Sequence, residues 1–178
     1  MSDDTFRSGL VTALPSLRAF AFSLTHNWDT ADDLVQDTIT RAWAAQDRFE
    51  AGTNLNAWLF TILRNLFYSE HRKRLREVED PDGTYAAGLR TRPDQHSHLE
   101  FQDMQAALKG LPPDQREALL LIAAEGLSYD EVAEITGVAV GTVKSRVNRA
   151  RTRLANLLQV EPDDEVGPDA IVLAALQL

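Results

Sequence analysis

The sequence predicts an all-α protein built as two small helical domains joined by a flexible linker. Three observations carry this. Apolar residues recur at spacings of three and four in both halves of the 178 residues, with no convincing alternation of period two. Between the halves, residues 78–98 (VEDPDGTYAAGLRTRPDQHSH) hold Pro81, Gly83, Gly88 and Pro93 and sustain no apolar period, the composition of a linker. Near the end of the second half, a capped short helix, a glycine turn and a longer basic helix follow one another closely. The divisions are residues 8–77, a linker at 78–98, residues 99–159, and a tail at 160–178 whose end (DAIVLAALQL) suits a short apolar helix. An apolar fraction of 44% and a charged fraction of 25% are those of a soluble globular chain.

In the first half, Leu10, Leu14, Leu17, Ala21 and Leu24 form a helical stripe, with Pro15 placed to kink or divide it. Asp29 or Thr30 can cap a second helix that turns Leu34, Val35, Ile39, Ala42 and Trp43 inward. Polar residues 46–52 make a loop. Thr53 or Asn54 then caps a third helix carrying Trp58, Leu59, Ile62, Leu63, Leu66 and Phe67 into the basic run HRKRLR at 71–76.

In the second half, a helix over residues 101–109 stops at Gly110. The next has Pro113 in its first turn and Gly126 at its end. Ser128 and Glu131 form a capping box for a short helix ending at Gly137. A turn of about three residues leads into a helix starting near Val140, which completes a helix-turn-helix.

Charge is unevenly spread. The formal net charge is −9, yet residues 77–103 and 161–178 each contribute −5, so the rest of the chain is close to neutral. VGTVKSRVNRARTRL (140–154) carries five basic residues and no acid. Net acidity opposes indiscriminate nucleic-acid binding by the whole surface but leaves local binding open. There is no cysteine, which excludes disulfides, thiolate metal sites and thiol nucleophiles. The opening MSDDTFRSGL lacks an apolar signal core, and no run of about 18 apolar residues exists to span a membrane, so a cytoplasmic protein is expected.

In a helix-turn-helix the second helix enters the major groove, which points to Thr142, Lys144, Ser145, Arg146, Asn148 and Arg149. Arginine and lysine suit guanine edges and asparagine suits adenine. Val143, Val147, Ala150 and Leu154 face inward, and Arg151 and Arg153 lie where phosphate contact is expected. A second nucleic-acid element is offered by residues 52–80, where Trp58, Phe60, Phe67 and Tyr68 stand among Asn54, Asn56 and Asn65 before the basic run. Such a mixture suits unstacked bases and single-stranded backbone, though aromatics at helical spacing equally suit a core. In DDLVQD, Asp33 and Asp37 share a helical face, but no further ligand arrives at metal spacing. His96 and His98 sit in the linker without other ligands; neither a metal nor a cofactor is expected.

Both halves resemble the extracytoplasmic-function (ECF) sigma factors, the promoter-recognition subunits of bacterial RNA polymerase. TADDLVQDTITRAW (30–43) and AWLFTILRN resemble sigma region two, and LPPDQREALLL with GLSYDEVAEITGVAVGTVKSRVNRARTRL resembles region four; the likeness spans about residues 8–158. NLNAWLFTILRNLFYSEHRKRLREVED is more narrowly similar to the general-stress (EcfG-type) group of alphaproteobacteria, which is held by the anti-sigma factor NepR and released by the response regulator PhyR.

By position, the resemblance implies that Phe49, Asn54, Leu55 and Asn56, with Asn65, accept a flipped minus-ten base, and that Arg64, Arg72 and Lys73 meet promoter backbone. It assigns minus-thirty-five reading to the face of Lys144, Ser145, Asn148 and Arg149. Asp32, Asp33, Gln36, Asp37 and Arg41 match the surface that docks on the clamp of the polymerase largest subunit. The expected partners are therefore core polymerase, promoter DNA and a NepR-type anti-sigma factor, with the chain itself monomeric and without enzymatic activity. Two other readings compete. One is a sigma-like decoy that only binds an anti-sigma factor, but the sequence shows no receiver domain and keeps both reading elements. The other is a helix-turn-helix repressor or activator, which leaves the first domain idle. No nucleophile–base set or phosphate-binding glycine loop supports an enzyme.

Overall fold

A computed structural model describes residues 3–78, 106–123 and 126–158, and among them every regular element is helical. The helices are α1 (Asp3–Thr25), α2 (Trp28–Ala44), α3 (Leu55–Val78), α4 (Pro113–Ala123), α5 (Tyr129–Thr136) and α6 (Val140–Leu158). A single 3-10 turn, Gln46–Arg48, lies within the loop expected at 46–52. The chain divides into two compact units between Arg92 and Pro93. The linker at 78–98 beyond Val78, the start of the helix placed at 101–109, and the tail at 160–178 lie outside the described residues.

The first unit packs α1, α2 and α3 around Leu10, Leu17, Phe20, Leu34, Leu59, Phe60 and Leu63, all buried. Phe20 meets Phe60 edge to face with centroids 5.1 Å apart, the arrangement favoured by the ring quadrupoles. Each such side chain adds roughly 1.5–3 kcal/mol over its exposed state. Thr38 is fully buried on α2, and its hydroxyl donates to the Leu34 carbonyl at 2.7 Å.

Four expectations for this unit need correction. Pro15 does not divide α1, which is helical from Asp3 to Thr25. The missing N–H deprives the Val11 carbonyl, and both residues lie on the exposed face where water can replace the bond. Leu14, on that same face, is 39% exposed and outside the core. The cap of α2 is Asn27, whose extended backbone lets its side chain accept from the Thr30 N–H at 3.0 Å. Asp29 and Thr30 thus fall within the first turn. Trp43 is 45% exposed, and its ring meets that of buried Phe6. At α3, by contrast, Asn54 is the cap, accepting from the N–H groups of Asn56 and Ala57.

In the second unit α4, α5 and α6 enclose Leu119, Leu121, Val132, Val143, Val147 and Leu154. Residues 106–109 are helical and stop at Gly110, as the sequence predicts. Arg116 is buried, and its guanidinium donates to the Leu108 carbonyl, tying that turn to α4. The Ser128–Glu131 capping box forms in both directions. Gly137 takes a left-handed conformation (φ 70°), which a glycine adopts at no steric cost. Residues 137–139 make the expected three-residue turn before α6. Ser128→Ala should cost about 1 kcal/mol of unfolding free energy for this unit, measured by urea denaturation followed by helical circular dichroism.

Candidate nucleic-acid interface

The buried stripe of α6 (Val143, Val147, Ala150, Leu154) fixes which side chains look outward. At about 100° per residue, Ser145, Asn148, Arg149 and Thr152 lie opposite that stripe. Thr142, Asn148, Arg149 and Arg153 are exposed, while Ser145 and Arg151 are half-buried. Lys144 and Arg146 lie on the two flanks, and each touches a neighbouring helix. The Lys144 ammonium stands 5.7 Å from the centroid of the Tyr129 ring on α5. Arg146 makes a 3.0 Å ion pair with Asp114 on α4. The six residues chosen for promoter reading therefore form a central group of Thr142, Ser145, Asn148 and Arg149 and two tethered flanks.

The first unit carries two polar patches on α3. Asn54, Leu55 and Asn56 line a shallow groove of about 630 Å³, whose other wall is α1 with Thr5, Ser8 and Thr12. Nine residues later, roughly 14 Å along the axis, Arg64 and Asn65 begin a face that continues through Tyr68 to Arg72. The Arg64 guanidinium lies 4.6 Å above the Tyr68 ring. Lys73 is exposed but turned about 100° from Arg72. Phe49 joins neither patch; it is half-buried against Phe6 and Trp58, with ring centroids 6.1 and 5.4 Å away. Trp58 and Phe67 are half-buried as well, intermediate between the core and base-contact readings. The residues matched to a single base pocket are thus spread over an aromatic anchor, a groove and a helical face.

On α2, Asp33, Gln36 and Asp37 form an exposed ridge opposite the buried Leu34, Val35 and Thr38, with Arg41 to one side. Asp32 is on the other side and accepts two bonds from the Arg18 guanidinium, Nε to Oδ1 and Nη2 to Oδ2. These bonds hold the Asp32 carboxyl below its usual range and raise the guanidinium. Since the folded value of Asp32 is depressed, the pair's contribution is present above the ordinary carboxylate pKa and is lost as pH falls through the lowered one. Arg18→Gln should return the Asp32 titration, followed by NMR of its carboxyl carbon, to the ordinary range. Arg18 also lies 4.7 Å over the Trp28 ring, which stacks on Phe22 at 4.0 Å.

The sequence reading missed the partners that orient these residues. Phe6 is buried and holds Trp43, Phe49 and Trp58 together across three elements. Its apolar character and spacing from Leu10 were the available signal. Asp114, Tyr129 and Arg18 act across helix–helix contacts, for which linear spacing offers no signal. Among the described residues there is no cluster of three or more histidines and acids placed to hold a metal ion, and no helix long and apolar enough to cross a membrane.

Comparison with known proteins finds two family models that match the chain. Sigma-70 region 2 matches residues 10–77 and sigma-70 region 4 matches residues 101–154. The chain is 58% identical over 173 residues to the ECF RNA polymerase sigma factor EcfG of Rhodopseudomonas palustris, spanning 97% of this chain and 96% of that protein. The solved complex of the sigma factor RpoE with the anti-sigma factor NepR from Bartonella quintana matches with a TM-score of 0.78 and 55% identity, over 88% of this chain and 98% of RpoE. The PhyRSL–NepR complex from Sphingomonas sp. Fr1 matches with a TM-score of 0.63 over 88% of each chain; at 22% identity it shows the fold alone.

Proposed function

From the premise that the chain belongs to the ECF RNA polymerase sigma factors, we propose that its two units read the two elements of general-stress promoters while polymerase holds them together. The first unit takes the role of sigma region two, over residues 8–77, and the second that of region four, over 99–159. The observation that carries this is the duplication of polar and basic faces. Arg64, Asn65 and Arg72 share one face of α3, and Asn148 and Arg149 are exposed on the side of α6 away from its buried stripe. Each face is too small to specify a site alone, since one helix in a groove reads only a few bases. The α2 ridge of Asp33, Gln36 and Asp37 is the docking surface for the polymerase clamp. Asp32 contributes through its pair with Arg18.

In this reading the protein is a cytoplasmic initiation factor without a catalytic centre: polymerase makes RNA, and this chain selects the start and helps open the duplex. A NepR-type anti-sigma factor is its regulator, supported by the likeness to RpoE, which was solved bound to NepR. The test is run-off transcription with purified core polymerase on a stress-gene promoter. A specific transcript that a NepR-type protein suppresses is the expected result. Core binding without a transcript would favour the sigma-like decoy, and promoter binding without core would favour a repressor or activator.

A further inference from the structure

We infer that Asp114 sharpens promoter reading by holding Arg146 out of sequence-independent contact with DNA. The ion pair between α4 and α6 withdraws one cation of the reading helix from phosphate. This rests on the reading of α6 as the minus-thirty-five helix, and it gives a role in specificity to a residue outside the helix-turn-helix.

Three observations carry the inference. First, the two flanks of α6 are tethered by different chemistry. Lys144 and Arg146 are two positions apart, about 200° around the helix. The Lys144 ammonium stands 5.7 Å from the Tyr129 ring, a partner that leaves its positive charge uncancelled. Arg146 instead places Nε 3.0 Å from the Asp114 carboxylate, which opposes its charge directly. Second, Arg146, Arg149 and Arg153 recur at spacings of three and four and so line one flank of α6. Such a row suits successive phosphates whatever the bases between them. Arg149 and Arg153 are exposed, whereas Arg146, the paired one, is half-buried. The pair thus shortens a row of three cations to two.

Third, Asp114 is held on a fixed support. It lies in the first turn of α4, a position that suits a negative side chain. The N–H groups of the next two residues, Gln115 and Arg116, donate to the Pro112 carbonyl at 3.0 and 2.9 Å. The buried Arg116 side chain donates in turn to the Leu108 carbonyl. Leu119, Leu121, Val143 and Val147 are buried between the helices of this unit, and a partly exposed ion pair adds little to such a core. Its larger effect is therefore on charge. On a cognate element, base contacts fix α6, and a freed Arg146 gains little. On a non-cognate duplex α6 seats loosely, and a freed Arg146 can take any phosphate within reach.

The test uses holoenzyme reconstituted from core polymerase and the full chain. Two promoter duplexes share the minus-ten element and differ only in whether the minus-thirty-five element is intact or scrambled. Asp114→Asn should raise affinity for the scrambled duplex about threefold, the range of one exposed charge contact, and change that for the intact one less. The slope of log affinity against log salt on the scrambled duplex should steepen by about 0.9, the value for one added phosphate contact. Asp114→Glu, which keeps the charge, should restore wild-type discrimination. In an Arg146→Gln background, Asp114→Asn should have no further effect, because the two residues act as one unit. A merely structural pair predicts weaker binding to both duplexes and no steeper slope, and that result would overturn the inference. So would an equal gain on both duplexes, or a gain that persists in the Arg146→Gln background and marks direct repulsion of DNA by Asp114. Arg149→Ala separates the two levels. If it lowers discrimination while Asp114→Asn leaves it unchanged, only the role of Asp114 fails. If wild-type holoenzyme does not distinguish the duplexes, the minus-thirty-five reading of α6 fails and takes this inference with it.

Discussion

Lys144→Ala combined with Arg149→Ala is expected to lower holoenzyme affinity for a cognate promoter by roughly 100-fold or more, because each base contact of this kind is worth about 1–3 kcal/mol. Both side chains are exposed, and neither belongs to the Val143–Val147–Leu154 stripe that holds α6 in place. Lys144 does give up its place over Tyr129, an exposed cation–π contact worth about 0.5–1 kcal/mol, so a small fall in the stability of the second unit accompanies the change. Core-polymerase binding should be unaffected. Electrophoretic mobility shift against cognate and scrambled promoters separates base reading from general attraction. Equal losses on both would mean that these residues hold only phosphate, with a shallower salt dependence as the mark.

Asp33→Ala combined with Asp37→Ala is expected to weaken capture of core polymerase about tenfold at low salt and less at high salt. Exposed charges act mainly on the association rate and are screened within about 10 Å at 0.1 M salt. The buried face of α2 is untouched, so the helix should remain and promoter contacts by α6 should survive in isolation. Competition with the wild-type protein for limiting core measures this directly. An unchanged affinity would move the docking surface elsewhere on the first unit. The two double variants together separate the faces: one loses DNA while keeping polymerase, the other the reverse.

Much of this architecture is legible in the sequence because it depends on local rules. The capping box at Ser128, the left-handed Gly137 and the stripe on α6 each follow from residues within a turn or two of one another. The cap of α2 lies two or three residues before the positions the sequence suggests, since Asn27, Asp29 and Thr30 are all competent caps. The choice is fixed by where Trp28 stacks on Phe22, a contact between two helices. Pro15 reads as a breaker in isolation, yet the packing of Leu10, Leu17 and Phe20 on both sides of it keeps α1 whole. Trp43 fits the apolar spacing of α2 but stays partly exposed to water.

The candidate sites divide in the same way. Which residues face outward on α6 follows from periodicity; which of them are already engaged does not. Arg146 pairs with Asp114, a residue 32 positions earlier in the chain. The positions matched to one base pocket sit on an anchor, a groove and a helix face because loop residues and helix residues depart from the shared start of α3 in different directions. Only the wall supplied by α1 makes the groove visible at all.

The acidity of the chain and the basicity of α6 serve one purpose. A net charge of −9 discourages indiscriminate DNA binding, so under the proposed function the five-cation helix is expected to act only where its base contacts and its partner unit also fit. The central claim is that two modest readers become specific when polymerase joins them. The most direct test is to transcribe fragmented genomic DNA with core polymerase in the presence and absence of this protein and to sequence the new transcript starts. The expected result is a set of starts preceded by two shared sequence elements at one fixed spacing, lost when either element is changed or the spacing is altered by several base pairs. Starts that share a single element, or that tolerate any spacing, would contradict the account.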